Sequence, residues 1–454
     1  MRTVLIIGAG FSGVACAVQL LRRSGTQPLR ILLLNRSGRM ARGLAYGTQS
    51  PQHTLNVPAG KMSALPDDPT HFLRYARARD SCIDANAFVP RSVYGNYLEW
   101  LLELARQTAP AHASLNYVGG VVTRLQAQAG GGLQAQLEDG RTLHADKVVL
   151  ALGHFPSSDP AVDDMSFYAS PRYQRDPWDV QQLGTLAPAA PVLLLGSGLT
   201  AMDVAHSLLR QHPNRPIIAV SRHGLLPQAY APSAPLPPGA PSGPAEATPV
   251  LASLRAFRSQ LHALAAQGLG WHDALAALRP RTAAIWQAWS PAQRRCFLRH
   301  VQPYWDTHRH QLAPTTQQQI ATAMAQGTLQ ILAARITGYR EDSEAVHVRL
   351  RPRGQAQCTE LRATRVINCT GPCRSPRHTG NPLVAQLLAD GMLRTDALGL
   401  GIDTGPHCAV LNDQGRAAPD LYYLGPWLKA NYWEATAVPE LRCFAAQVAS
   451  ACLA

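Results

Sequence analysis

Residues 4–21, VLIIGAGFSGVACAVQLL, decide how this chain is read. Four apolar, mostly β-branched residues run into Gly8, Gly10 and Gly13 at GxGxxG spacing, and a helical stretch of small and apolar residues follows. A second apolar run, RILLLN, closes at Asn35. Strand, glycine turn, helix and strand is the order in which such glycines carry meaning. The first makes the turn. The second lets backbone approach a pyrophosphate seated on the helix N-terminus, and the third lets helix and strand pack closely. The stretch therefore predicts a βαβ unit that cradles a dinucleotide.

The pattern occurs twice. Residues 192–209, VLLLGSGLTAMDVAHSLL, place Gly196, Ser197, Gly198, Leu199, Thr200 and Ala201 in the same context, as GxGxxA. Two further apolar runs end in glycine, LALGHFP at Gly153 and VINCTGP at Gly371. One such fingerprint is weak evidence, and two in one chain are much stronger. The expected fold is α/β with two Rossmann-like dinucleotide-binding domains. FAD occupies the first and a nicotinamide cofactor docks on the second, because hydride passing between two dinucleotides needs two pyrophosphate cradles. The FAD domain is expected to be discontinuous, with 1–158 completed by 359–454. The NAD(P)H domain spans 159–358, with a proline-rich linker at 227–249 and a helical insertion at 250–327.

The strand ends refine the cofactors. An acid that holds a ribose hydroxyl usually follows the second strand. Here Asn35 and Arg36 stand there, and Asn accepts a hydrogen bond only through its amide oxygen. In the second unit the strand PIIAV runs into Ser221, Arg222 and His223, and a cation there suits the 2′-phosphate of NADP.

Composition bounds the rest. The chain has 454 residues, 46% hydrophobic and 16% charged, which is globular. No apolar run reaches the ~18 residues of a membrane span. A strand beginning at Thr3 leaves no room for a secretory signal, so a cytoplasmic location is expected. Nine cysteines form no framework, and the closest pair, Cys369 and Cys373, is CxxxC, which argues for reduced thiols and against a disulfide reductase. No Cys/His spacing suggests a metal site. The formal charge of +13 comes without a Lys/Arg run or a nucleic-acid motif, so steering of small anions accounts for it. The expected partners are a small-molecule substrate and molecular oxygen, not nucleic acid or a membrane. The oligomeric state stays open.

Several stretches together resemble a known family: GAGFSG, RGLAYGTQSPQHTLNVPAGKMSALPDDPTHFLRY, FVPRSVYGNYLEWL, LLLGSGLTAMD, SRHGLLP, RHVQPYWDTHRH, VINCTGP and LGPWLKANYWEATAVPELR. They are similar to the FAD/NAD(P)-binding proteins of the bacterial YdhS-like family, distant relatives of the flavin N-hydroxylating monooxygenases. The resemblance implies an NAD(P)H-dependent FAD monooxygenase. One branch resembles an FAD-dependent urate hydroxylase, and the length and two-domain layout suit it. Hydroxylation of a small anion, urate to 5-hydroxyisourate in purine catabolism, is thus the leading expectation. Amino-acid N-hydroxylation is the alternative, and an FAD-binding sensor without turnover is the reading from another class.

The resemblance also implies site residues. It lays HTLNVPAGKMS along the flavin, with Asn56 at a ring edge, Val57 beside it and Met62 on its face. It places Trp433, Ala437 and Val438 at the start of the last helix, whose N–H groups face the flavin pyrimidine. Phe11, Ser12, Asn35, Arg36, Tyr46, Val122, Gly153, Gly371 and Gly425 complete the FAD contacts. The substrate-pocket candidates are Arg91, Tyr94, Tyr97, Arg299, Trp305, His308, Arg309 and His310, because an anion suits arginine and a planar substrate suits stacked rings. No triad or paired carboxylates are needed, since the cofactor carries the chemistry.

Overall fold

A computed structural model describes residues 1–48, 50, 52–179, 184, 186–240 and 243–454. Positions 241 and 242 of the proline-rich stretch lie outside the described residues. The chain opens as expected, with β1 (Arg2–Ile7), α1 (Phe11–Arg23) and β2 (Leu29–Asn35). Helices α2 (Gly43–Tyr46), α3 (His71–Arg77) and α4 (Arg91–Gln107) follow, then β3 (Ala113–Gly119). An antiparallel meander, β4 (Val122–Ala127), β5 (Leu133–Leu137) and β6 (Thr142–Ala145), leads to β7 (Lys147–Leu150).

The second unit repeats this plan. After β8 (Tyr173–Gln174) come β9 (Val192–Leu195), α5 (Leu199–Gln211) and β10 (Ile217–Ser221). A helical block follows: α6 (Val250–Ala265), α7 (Trp271–Leu278), α8 (Thr282–Ala288), α9 (Pro291–His300), α10 (Gln302–Arg309) and α11 (Pro314–Ala325). Strands β11 (Leu329–Glu341), β12 (Val346–Pro352) and β13 (Thr359–Ala363) form a meander, and β14 (Arg365–Asn368) closes the unit. The block 250–325 thus occupies the place that α2–α4 hold in the first unit. The chain ends with α12 (Pro382–Ala389), β15 (Ala409–Leu411), β16 (Ala417–Tyr423) and α13 (Val438–Leu453).

The first sheet has the order β15-β16-β7-β1-β2-β3, and the second β13-β12-β11-β10-β9-β14-β8. In each, the strand carrying the glycine fingerprint has parallel neighbours on both sides, and the strand order reverses there. In open α/β sheets such a switch point is where ligands bind, at the carboxyl ends of the strands. Strand β16 pairs with β7, so the first sheet is built from both ends of the chain.

One strand departs from expectation. VINCTGP was expected in the first domain, from 359 onward, but β13 and β14 belong to the second sheet, where Val366 lies opposite Leu193 and Tyr173. The chain returns to the first domain only after Asn368. Its two crossings run side by side, with a bridge between Phe155 and Cys373, so Gly153 and Gly371 lie on the connections between the sheets.

The core of the first domain is continuous. Val4, Leu5 and Ile6 are completely buried, and each such side chain contributes about 1.5–3 kcal/mol. Helix α1 is buried along residues 11–21 and packs along α13. The Arg2 guanidinium donates to the carbonyls of Cys452 and Leu453, which pins the last turn of α13 beside the first strand. No helix among the described residues is long and apolar enough to cross a membrane.

Candidate functional site

The two glycine turns are nearly superimposable in backbone angles. Gly8 has φ +112° and Gly196 φ +110°, a region L side chains rarely adopt. Gly10 (φ −79°, ψ −165°) and Gly198 (φ −81°, ψ −169°) are the residues from which α1 and α5 start. A Cβ on Gly8 would lie 2.1 Å from the Ala151 carbonyl oxygen, and one on Gly196 2.7 Å from that of Cys369. Each turn therefore passes tightly under the closing parallel strand. A Cβ on Gly13 would lie 1.9 Å from the Gly8 oxygen, whereas Ala201, its counterpart, is accommodated fully buried.

The second glycines differ in kind. The nearest atom to a Cβ on Gly10 is the Gly43 Cα at 3.5 Å, and nothing lies within 4 Å of one on Gly198. No side chain caps α1 or α5, and neither first turn holds an acid. Unsatisfied N–H groups and the positive helix end thus face open space at both switch points, which is the chemistry of a pyrophosphate cradle. Phe11 and Ser12 are buried in the first turn of α1. The Asn35 amide nitrogen donates to Ser37 Oγ and to the Arg39 carbonyl, shaping its own loop, while Arg36 is exposed. Ser197 and Ser221 are bonded to each other at 2.8 Å, and Ser197 also donates to the Leu225 carbonyl, so both shape the second turn.

The stretch 53–63 is stitched to 85–91 by backbone bonds, among them Leu55 N to Val89 O and Ala59 N to Ala87 O. It leaves Asn56 exposed and buries Met62. Arg442 Nη1 donates to the Ser63 carbonyl at 3.0 Å, which ties the first turn of α13 to this stretch. Ala437 caps α13 without a side-chain bond, and Glu440 in its first turn pairs with Arg279 of the helical block at 2.7 Å. Trp433 is buried against Trp286 (4.7 Å) and edge-on to Phe297, with Lys429 Nζ 4.0 Å over its ring. Partial desolvation pulls the ammonium of the exposed Lys61 below its usual range, with Arg279 and Arg309 adding to the effect. The 53–63 stretch, the start of α13 and the helical block therefore converge on one region. Gly425 directly precedes the short helical turn that carries Lys429.

Of the pocket candidates, Trp305 and Arg309 reach this region, and His310 lies beside them, near enough for Lys429 and Glu434 to act on its charge. Both hold Glu434, Trp305 Nε1 at 3.0 Å and Arg309 Nε at 2.7 Å. The neighbouring Asp306 has Oδ1 buried without a hydrogen-bond partner. Burial lowers the His310 pKa, against the pull of Asp306. The other candidates sit elsewhere. Arg91 is held by Asp203 at 2.6 Å and by the Thr54 carbonyl at 3.0 Å, so it bridges the domains. Tyr94 and Tyr97 are completely buried in an aromatic core with Phe72 and Tyr75, since their spacing on α4 points them inward. The neighbouring Tyr46 packs on Tyr94 at 4.6 Å, and burial pushes its hydroxyl up to about 12. Arg299 is exposed on α9. His308 donates to the Tyr304 carbonyl and meets Trp271 edge-on. Val122 is core of the first meander, opposite Leu137. Sequence reading missed Glu434, Asp306 and Lys429. Glu434, 7% exposed, had one signal: an acid inside the apolar stretch NYWEATAV.

Among the described residues no group of His, Cys, Asp and Glu could hold a metal ion. Cys369 and Cys373 are buried and free, and burial pushes the Cys369 thiol far up.

Residues 5–155 match the FAD-NAD(P)-binding family model. No curated protein matches the chain. Solved structures match it end to end. The reduced ornithine hydroxylase of Pseudomonas aeruginosa is 15% identical, covering 100% of this chain and 99% of its own, with a TM-score of 0.67. The ornithine N-hydroxylase of Kutzneria, with reduced FAD, NADP+ and L-ornithine, is 15% identical, covering 99% and 98%, at 0.63. The FAD-bound cadaverine monooxygenase of Erwinia amylovora is 13% identical, covering 99% and 94%, at 0.69. The chain has the fold of proteins built from two dinucleotide-binding domains, and its N-terminal third matches the FAD-NAD(P)-binding model.

Proposed function

We propose that this protein is an FAD-dependent, NADPH-using monooxygenase that N-hydroxylates a small amine. The observation that carries the reading is the end-to-end likeness to amine hydroxylases, beside which the helical block brings Trp305 and Arg309 onto the C-terminal stretch. The same likeness favours an amine over the urate first expected.

The residues fit both cofactors. Uncapped α1 would hold the FAD pyrophosphate and uncapped α5 that of NADPH. Bound flavin, reduced by NADPH, supplies oxygen activation. This chain does the rest. Met62, Trp433 and the Trp286–Phe297 cluster keep water away. Asp306 Oδ1 accepts an N–H of the amine, and Lys61 with Arg309 takes an acidic group at its other end. The buried Cys369 thiol, held protonated, does not serve a disulfide reductase.

The test follows NADPH oxidation, oxygen uptake and peroxide together on FAD-loaded protein, with ornithine, lysine, cadaverine, aspartate and urate. Stimulation by an amine with little peroxide, and a hydroxylamine product, is expected. Stimulation by urate alone, with hydroxyisourate formed, overturns the amine. An absence of flavin reduction overturns the enzyme and leaves a sensor.

A further inference from the structure

An unpaired cationic face stands beside the second glycine turn. Ser221 at the end of β10 lies opposite Ala333 of β11. On the far side of Ala333, the Arg353 N–H donates to the Ala333 carbonyl at 2.8 Å. Arg335 lies two residues beyond Ala333 and opposite Arg351 of β12. Residues opposite one another in a sheet share a face, as do residues two apart in a strand. Ser221, Ala333, Arg335, Arg351 and Arg353 therefore share one face. It is the side toward the glycine turn, since Ser221 Oγ donates to Ser197 Oγ and accepts from the Gly224 N–H.

The face is crowded with like charge. Arginines directly opposite in a sheet repel. Further along the same strands, Arg340 pairs with Glu360 and Arg362 with Glu344. Among the described residues no carboxylate pairs with Arg222, Arg335, Arg351 or Arg353. His223 sits among them with Nδ1 buried and without a hydrogen-bond partner. Its pKa is lowered by burial and then by Arg353, Arg222 and Arg335. The turn itself is pressed onto the strand. A Cβ on Gly224 would lie 3.0 Å from that of Ala333, so the turn that carries Arg222 and His223 runs directly against β11.

We propose that Arg335 and Arg353, reaching across from the meander, complete with Arg222 and His223 a clamp for the 2′-phosphate of NADPH. The inference rests on the reading above only in that a nicotinamide dinucleotide docks on α5. A dianion there relieves the repulsion between the arginines and gives His223 Nδ1 a partner. Guanidinium forks match phosphate oxygens in pairs, so selection of NADPH over NADH is spread over three strands rather than resting on the residue after β10 alone.

The test is calorimetric binding of 2′,5′-ADP and of 5′-AMP, which lacks only the 2′-phosphate, to the full-length, FAD-loaded protein. It compares the unaltered chain with Arg335→Ala, Arg353→Ala and Arg353→Lys. Each alanine variant is expected to weaken 2′,5′-ADP about tenfold or more, roughly one phosphate contact, while 5′-AMP changes less than about twofold. Arg353→Lys should fall between. Equal losses for both nucleotides, or none for either, overturn the clamp, as does an unaltered chain that binds the two alike. Strong 2′,5′-ADP discrimination without amine-stimulated turnover would leave the clamp standing and remove the amine hydroxylase.

Discussion

Gly10 and Gly13 are three residues apart, yet a side chain fails at each for a different reason. At Gly13 the new Cβ would strike the Gly8 oxygen at 1.9 Å, so the cost falls on folding. At Gly10 the nearest atom is the Gly43 Cα at 3.5 Å, an ordinary contact, so the fold tolerates a side chain, which would fall where the proposed pyrophosphate cradle needs bare backbone. Gly10→Val is therefore expected to fold with a melting temperature close to the parent's but to purify colourless, measured by flavin absorbance. A yellow Gly10→Val protein would remove the first cradle. Both glycines were legible in the sequence because their demands are local: a turn, a helix start and the strand beneath it. The fate of Tyr94 and Tyr97 was not, since an aromatic near an arginine reads the same in a pocket wall as in a core.

The helical block shows what an element inherits from its partners. Its helices were legible from composition, yet its contribution to the site depends on one acid of the C-terminal stretch. Glu434 is held by Trp305 Nε1 and Arg309 Nε, so it fixes the end of α10 against the C-terminal stretch. Glu434→Gln keeps the shape and one acceptor but loses the charge-assisted bond to Arg309, a loss of about 1.5–3 kcal/mol for a buried pair. Amine-stimulated NADPH oxidation should fall at least about tenfold, with bound FAD unchanged. Turnover equal to the parent's would mean that α10 plays no part in the site. Strand β14 teaches the same lesson. Its apolar run and glycine announced a parallel strand, but only pairing with β9 and β8 assigned it to the second sheet.

At the scale of the whole molecule, the two units meet through the Trp286–Trp433 cluster and through polar contacts. His53 bonds Thr48 through Nδ1 and Ser207 of α5 through Nε2, and its ring meets Trp178 edge-on. Arg91 bridges to Asp203 of the same helix. The proline-rich stretch joins in, bonded to the helical block from Gln228 to Thr307 and from Tyr230 to Leu312, with Tyr230 edge-on to Phe88. Burial, then Arg91 and His206, lower the His53 pKa to about 4 from 6.5. The folded state thus disfavours the charged imidazole. Its stabilising contribution is complete above the unfolded value near 6.5 and is lost as pH falls through about 4. Asp203, paired with Arg91, is the carboxylate nearby, and it is already engaged. The melting temperature should drop as pH falls from 6.5 to 4, and His53→Asn should flatten that drop. An unchanged slope in the variant would clear His53 of the role.

By itself the sequence determined that this chain holds two glycine turns, each opening a helix. Those features depend on residues within about two dozen positions of each other, where the backbone conformation of each glycine and the strand and helix periods suffice. Tertiary structure alone decided three other things: that β14 joins the second sheet, that Arg91 spends its charge on Asp203, and that Trp305 and Arg309 meet Glu434. Each depends on segments more than a hundred residues apart, and hydrophobic period records which face of an element is buried without recording what covers it.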